Sequence, residues 1–86
     1  NPEGLGEFVT FTHLPEKANI KIYNLAGIHI TTLEHNDATS QFKEWDLTNG
    51  QNWLVASGMY IAYIELPDLD MHKILKFMVI QRKWSY

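Results

Sequence analysis

V-A-S-G-M-Y-I-A-Y at Val55–Tyr63 and H-K-I-L-K-F-M-V-I-Q at His72–Gln81 are the two stretches that decide the fold class of this chain. Both are runs of β-branched, aromatic and other apolar residues, which suit a pleated strand. Gly58 stands at the entry to the first run, and Pro67–Met71 connects the two. We therefore predict two strands, Ser57–Leu66 and His72–Gln81, in an all-β domain.

The rest of the chain also favours short strands separated by turns. Ile20 and Ile22 alternate with residues of the opposite face, and a period of two indicates a strand. Gly27 follows at a position where a positive φ would let the chain turn. The further predicted strands are Glu7–His13, Ala18–Leu25, Ile28–Leu33, Gln41–Asp46 and a brief Trp53–Val55. Without a convincing helix, this pattern predicts an antiparallel immunoglobulin-like β-sandwich of about seven strands.

The last two predicted strands are apolar on both faces, whereas a strand of a two-layer sandwich normally has one polar face. In the first of them, one face consists of Tyr60, Ala62, Ile64 and Leu66, and the other of Met59, Ile61 and Tyr63. In the last strand, Leu75, Phe77 and Val79 oppose Ile74, Met78 and Ile80. Either loops cover the outer side, or an exposed patch docks another protein or the preceding domain, with edge-strand pairing as a related option. The exposure of four side chains distinguishes these interpretations: Met59, Ile61, Tyr63 and Met78.

Composition and charge restrict the classes of function. The chain has 86 residues, 45% hydrophobic and 13% aromatic, which indicates one small folded domain. A formal net charge of -3 argues against nucleic acid as a partner, because phosphate binding needs a basic surface. No segment approaches the length of a transmembrane helix, so we expect no membrane insertion. The chain begins with Asn1, and we expect part of a longer protein, with residues 1–6 as a linker and 7–86 as the domain.

No catalytic or metal-binding constellation is recognisable. The chain has no cysteine, which excludes thiolate metal sites and thiol nucleophiles. No two of its four histidines have the spacing of a zinc pair, and Asp68-x-Asp70-x-His72 lacks the remaining ligands of a metal loop. Ser40 and Ser57 have no glycine-flanked nucleophile elbow. We therefore predict no enzymatic activity, no metal and no cofactor.

The aromatic residues leave two interpretations open. The chain has four phenylalanines, four tyrosines and three tryptophans. Exposed aromatic stripes on a sandwich can stack on sugars, whereas most of these residues can equally belong to the core. For Tyr60 we predict a structural role like the tyrosine corner of immunoglobulin-type sandwiches, with its hydroxyl bonded to nearby backbone.

Six motifs follow one another along nearly the whole chain. They are N-P at Asn1-Pro2, F-T-H-L-P at Phe11–Pro15, I-K-I-Y-N-L-A-G at Ile20–Gly27, W-D-L at Trp45–Leu47, V-A-S-G-M-Y at Val55–Tyr60 and K-I-L-K-F-M-V-I at Lys73–Ile80. In this order they resemble the C-terminal sorting domains of proteins exported by the type IX secretion system of Bacteroidota-like bacteria. Trp53-Leu54, and the six residues Gln81–Tyr86 after the last motif, depart from the usual pattern. Related immunoglobulin-like domains, including that of the flagellar hook-cap protein, share I-Y-x-x-G and G-x-Y.

The resemblance implies an address rather than a catalyst. It implies that the domain directs an upstream cargo domain through the periplasm and across the outer membrane, so that the protein is secreted or held at the cell surface. The implied partners are an outer-membrane shuttle barrel, the translocon and a surface sortase. Carried over by position, recognition would fall on Gly58, Tyr60, Lys73, Lys76, Phe77, Val79 and Ile80. The alternatives are a structural or adhesive immunoglobulin-like module and a carbohydrate-binding module.

Overall fold

The computed structural model describes residues 9–81, and this range contains six strands and one 3₁₀ helix. The strands are β1 (Val9–Phe11), β2 (Lys17–Asn24), β3 (His29–Asn36), β4 (Lys43–Trp45), β5 (Gly58–Leu66) and β6 (Met71–Val79). The 3₁₀ helix, Pro67–Leu69, joins the last two strands. The predicted linker over residues 1–6, the start of the first predicted strand and the tail over residues 82–86 lie outside the described residues.

The strands form two sheets in which every pairing is antiparallel. The larger sheet has the order β3-β2-β5-β6, and the smaller one pairs β1 with β4. Two of the pairings join strands that are consecutive in sequence, β2 with β3 and β5 with β6, whereas β1 pairs with β4 and β2 with β5 across longer stretches of the chain. This architecture confirms the predicted all-β antiparallel sandwich.

The core lies between the two sheets because the inner face of the large sheet is apolar. Ile20 lies opposite Ile64 and Ile22 opposite Ala62, and all four side chains are buried. The small sheet contributes two aromatic side chains of the core, and the loops contribute aliphatic ones. The other buried apolar residues are Phe11, Leu14, Ala18, Trp45, Leu47, Val55, Tyr60, Leu66 and Val79.

The predicted brief strand over Trp53–Val55 is wrong. Only Leu54 forms a bridge there, with Thr48, and Trp53 is 70% exposed. The Asn49 side chain accepts hydrogen bonds from the amides of Gln51 and Trp53, which folds this segment into a tight loop. A loop closed on itself leaves no extended length for a ladder, so the described range has six strands rather than about seven.

Every strand differs from its predicted bounds at one end or both, by one or two residues in β2, β5 and β6, and for the other three strands the reason is identifiable. β1 ends at Phe11 because His13 has a φ of 60°, in the left-handed region that extended strands do not use. β4 is confined to Lys43–Trp45 by its pairing with β1. β3 continues to Asn36, beyond the predicted end, because it pairs with β2 down to Lys17.

The β2–β3 hairpin contains the predicted turn. Gly27 has a φ of 84°, which side-chain-bearing residues adopt only at a cost. Its amide donates to the Asn24 carbonyl, while the amide of Ile28 donates to the Asn24 side chain. Sequence-local hydrogen bonds therefore set the geometry that brings β3 beside β2.

Candidate functional site

Strand β6 is the edge of the large sheet. It pairs with β5 along its whole length, from Leu66 opposite Met71 to Gly58 opposite Val79. Within residues 9–81 it has no strand neighbour on its other side. The segment that carries the K-x-x-K-F motif therefore presents one free backbone edge.

Most side chains of β6 are exposed, whichever face they occupy. The six consecutive residues Met71–Lys76 are all exposed, and Ile74 reaches 62%. The small sheet covers only the opposite end, where the Phe77 ring lies 6.1 Å from the Phe11 ring and 6.0 Å from the Trp45 ring. Val79 is buried there. β6 is thus anchored at its C-terminal end and uncovered over the rest.

The two lysines of β6 lie on opposite faces of the sheet. Lys73 is directly opposite Ile64 on the core side, and Lys76 is opposite Ile61 on the outer side. A spacing of three residues on a strand always has this result, because successive side chains alternate. Both lysines are exposed. A partner that contacts both ammonium groups must therefore reach around the edge of the sheet.

The outer face of β5 and β6 distinguishes the two interpretations of the surplus apolar surface. Met78 is 58% exposed, while Met59, Ile61 and Tyr63 are half-buried by their neighbours in the sheet. A shallow apolar depression lies beside them, lined by Tyr23, Leu25, Gly27, Ile61, Tyr63 and Ile74. No loop of the described range covers β6, and the exposed patch is the interpretation that these side chains favour.

Gly58 and Tyr60 lie at the anchored end, but Tyr60 is not exposed. Its ring packs against the Trp45 ring at 5.8 Å, and its hydroxyl donates a 2.6 Å hydrogen bond to the Ala56 carbonyl. Burial also raises the pKa of the Tyr60 hydroxyl above its ordinary value. This geometry is the predicted tyrosine corner. In the folded domain the Tyr60 side chain is buried, so its contacts are with the core and the neighbouring backbone.

A contact that the sequence analysis missed secures the end of β6. The amide of Gln81 donates a 2.7 Å hydrogen bond to the Ser57 hydroxyl, across 24 residues. Ser57 directly precedes Gly58, whose φ is 153°. No local pattern signals a bond of this range. The V-A-S-G-M-Y segment therefore makes two stabilising contacts. The Tyr60 hydroxyl bonds the backbone within the segment, and the Ser57 hydroxyl bonds the backbone that follows β6.

The recognition residues predicted from the resemblance fall into two groups. Tyr60 and Val79 are buried, and Gly58 and Phe77 are half-buried beside them. Lys73, Lys76 and Ile80 are exposed. The structure thus separates an anchored group, on β5 and at the end of β6, from an accessible group on and directly after β6.

Polar chemistry elsewhere in the described range is sparse. Among residues 9–81, no three His, Asp or Glu side chains converge as metal ligands. His35 is buried opposite Ala18, and neither ring nitrogen has a hydrogen-bond partner in that range. Hydrogen bonds from the Thr39 hydroxyl and amide lower the pKa of the Asp37 carboxyl. Residues 9–81 also contain no helix that is long and apolar enough to span a membrane.

Comparisons with known proteins add one structural likeness. No protein family and no curated protein matches the chain. A solved structure that resembles it is PorZ, an essential bacterial surface component of the type-IX secretion system of human oral-microbiomic Porphyromonas gingivalis. The TM-score is 0.68 at 24% identity, over 84% of this chain and 9% of the PorZ chain. At this identity the likeness shows the shared fold, and the chain spans only a small part of PorZ.

Proposed function

We propose that this chain is a non-catalytic C-terminal sorting domain, which directs an upstream cargo domain across the outer membrane by type IX secretion. The observation that carries the proposal is the uncovered strand β6, on which the K-I-L-K-F-M-V-I motif presents its lysines to solvent. The fold shared with PorZ, a component of such a system, supports it. On this proposal the protein is secreted or held at the cell surface.

The division of β6 into anchored and accessible residues suits a recognition signal. Phe77 and Val79 hold the strand to the core, so the register of Lys73 and Lys76 is fixed before a partner arrives. A preorganised strand loses less conformational freedom on binding than a disordered tail. The proposed readers are the outer-membrane shuttle barrel and the translocon, and a surface sortase would act upstream of the domain.

A carbohydrate-binding role has less support. The exposed aromatic side chains Phe42 and Trp53 form no ring pair with each other within residues 9–81. Tyr63 stacks at 5.2 Å on His72, which does not form the broad apolar platform of a sugar-binding stripe. These observations give no support to a sugar-binding surface within the described residues.

An export assay tests the proposal. Residues 1–86 are fused behind a periplasm-directed reporter in a host that has a type IX system, and the reporter is measured at the cell surface and in the medium. We expect export by the fusion, and retention in the periplasm when residues 73–86 are deleted or when Lys73 and Lys76 are both replaced by alanine.

The matched control replaces Lys17 and Lys43 by alanine. This pair makes the same change in net charge, but it lies on β2 and β4, away from β6. We expect the control to be exported like the parent fusion. Periplasmic retention of the parent, or undiminished export after deletion of residues 73–86, would refute the sorting function.

A further inference from the structure

The two edges of the large sheet are not equivalent. At the β3 edge, the Ile30 carbonyl accepts a 3.1 Å hydrogen bond from the Gly50 amide, so a loop already occupies part of that edge. At the β6 edge, within residues 9–81, no backbone hydrogen bond reaches Met71–Val79 from outside its ladder with β5. A strand with free amide and carbonyl groups is a template for another strand. The open edge of this sheet is therefore β6.

The charge of the open edge has one sign. Met71–Val79 contains His72, Lys73 and Lys76 and no carboxylate. Glu65, which lies opposite His72, is 3.5 Å from the Lys21 ammonium group and so has a partner on β2. Lysines on an exposed edge discourage pairing between identical copies. A strand that carries negative charge would not be repelled by these lysines when it pairs with β6.

We propose that a strand from a partner protein pairs with the free edge of β6 and so extends the large sheet. In this proposal the partner's strand carries two carboxylates three residues apart. The inference rests on the proposed function for the identity of the partner, a component of the export machinery. Backbone hydrogen bonds along the free edge supply affinity, and the two carboxylates supply selectivity. A spacing of three residues places one carboxylate on each face of the added strand, beside Lys73 on one and Lys76 on the other.

Strand addition explains the arrangement better than docking onto one face. A helix or a flat surface laid on the outer face would reach Lys76 but not Lys73, since they project from opposite faces. A strand beside the edge has both faces available at once. The exposed Ile74 and Leu75 also lie on opposite faces, where apolar residues of an alternating segment can pack against both.

The experiment titrates the ¹⁵N-labelled domain with two synthetic peptides and follows its backbone amides by NMR. Both are nine-residue peptides of alternating valine and threonine; one has glutamate at its fourth and seventh positions, the other has lysine there. We expect the glutamate peptide to shift the amides of β6 and to bind about tenfold more tightly than the lysine peptide. Amides of β3, the other edge, serve as the internal control.

Charge reversal at the edge tests the assignment of the lysines. In a domain with Lys73→Glu and Lys76→Glu, the preference should invert, and in one with Lys73→Gln and Lys76→Gln it should disappear. Both positions are exposed, and the NMR spectrum of each variant reports whether it folds. Lys17→Glu with Lys43→Glu makes the same charge change elsewhere and should leave the preference intact.

Four results would overturn strand addition. They are equal binding of the two peptides, no binding of either at millimolar concentration, shifts centred on β3, and a domain that forms dimers through β6 in sedimentation. Failure of the sorting function is separately visible. A charge-reversed domain that inverts peptide preference but still exports the reporter would preserve strand addition and remove β6 as the export signal.

Discussion

Tyr60 makes two structural contacts, one through its ring and one through its hydroxyl. Its ring packs against Trp45 of the small sheet, and the Trp45 indole nitrogen in turn donates a 2.9 Å hydrogen bond to the Thr48 carbonyl. Its hydroxyl bonds the Ala56 carbonyl, four residues earlier in the chain. One residue therefore holds the segment before β5 in place through its hydroxyl and packs against the small sheet through its ring.

Tyr60→Phe isolates the contribution of the hydroxyl. Removing one hydrogen bond of this kind should lower the free energy of unfolding by about 1 kcal/mol, measured by urea denaturation. Tyr63→Phe is the matched control, because the Tyr63 hydroxyl has no hydrogen-bond partner within the described range. Equal stability of Tyr60→Phe and the parent protein would contradict the structural role of the hydroxyl.

The same residue produces a dependence on alkaline pH. Because burial raises the pKa of Tyr60, the folded state favours the neutral phenol over the phenolate. Its contribution is complete below the unfolded pKa, near 10.0, and is lost as the pH rises through the higher folded pKa. Above pH 10 the free energy of unfolding, measured by urea denaturation at each pH, should therefore decrease more steeply with pH for the parent than for Tyr60→Phe.

The β2–β3 hairpin shows how one backbone angle supports an element. A side chain at Gly27 would meet no atom within 4 Å, so the cost of substitution there comes from the backbone alone. That cost arises from the φ of 84°, and the three hydrogen bonds between Asn24 and the turn depend on it. The turn, and with it the position of β3, relies on the flexibility of glycine.

Gly27→Ala should destabilise the domain by roughly 1–2 kcal/mol, the usual cost of a left-handed conformation for a residue with a side chain. Gly50→Ala is the matched control, since Gly50 is outside the positive-φ region and its added carbon would make ordinary contact, 3.9 Å from the Ile30 carbonyl oxygen. Thermal denaturation compares the two. An equal loss in both variants would show that the turn does not depend on Gly27.

Alternation predicted the burial of β5 correctly and could not predict that of β6. On β5 the face of Tyr60, Ala62, Ile64 and Leu66 is buried, as expected from a period of two. On β6 both faces are apolar, and burial depends on which strands lie beside it and which layer lies above it. Those neighbours come from the pairing of β2 with β5 and from the short span of the small sheet, neither of which is written locally.

The site was predictable to the same extent. The motif placed five of the seven recognition residues on the last predicted strand, and the spacing alone puts Lys73 and Lys76 on opposite faces. Only the strand pairing shows that this strand is the edge of the large sheet. The Gln81–Ser57 bond joins residues 24 apart, and no periodicity indicates it. Strand boundaries failed where a remote partner, rather than composition, ended or prolonged the ladder, as at the end of β3.

The described part of the molecule is elongated, with principal extents of 49 × 30 × 21 Å. Its small sheet spans three residues per strand, whereas β5 and β6 have nine each. The core face of β5 is nevertheless buried from Tyr60 to Leu66, whereas the N-terminal two-thirds of β6 is exposed. The candidate site thus arises where the edge strand of the large sheet lies beyond the cover that the core gives to β5.

Amide hydrogen exchange should reveal this inequality across the molecule. The amides of β2 and β5, which have strand neighbours on both sides, should exchange most slowly. The outward amides of β6 should exchange faster by roughly a hundredfold or more, because water reaches them without global unfolding. Equal protection along β6 and β2 would show that another part of the chain covers the edge.

The lysines of β6 oppose contact between molecules by charge repulsion, and the range of this repulsion depends on the ionic strength. Charge repulsion extends about 8 Å at physiological ionic strength and about 3 Å in 1 M salt. Concentrated sulfate would therefore screen the repulsion between the lysine ammonium groups of different molecules. It would also strengthen the hydrophobic attraction between the exposed isoleucine and methionine side chains. In dilute buffer, repulsion between the lysines therefore keeps the molecules apart. During salting-out, β6 edges of different molecules are expected to associate.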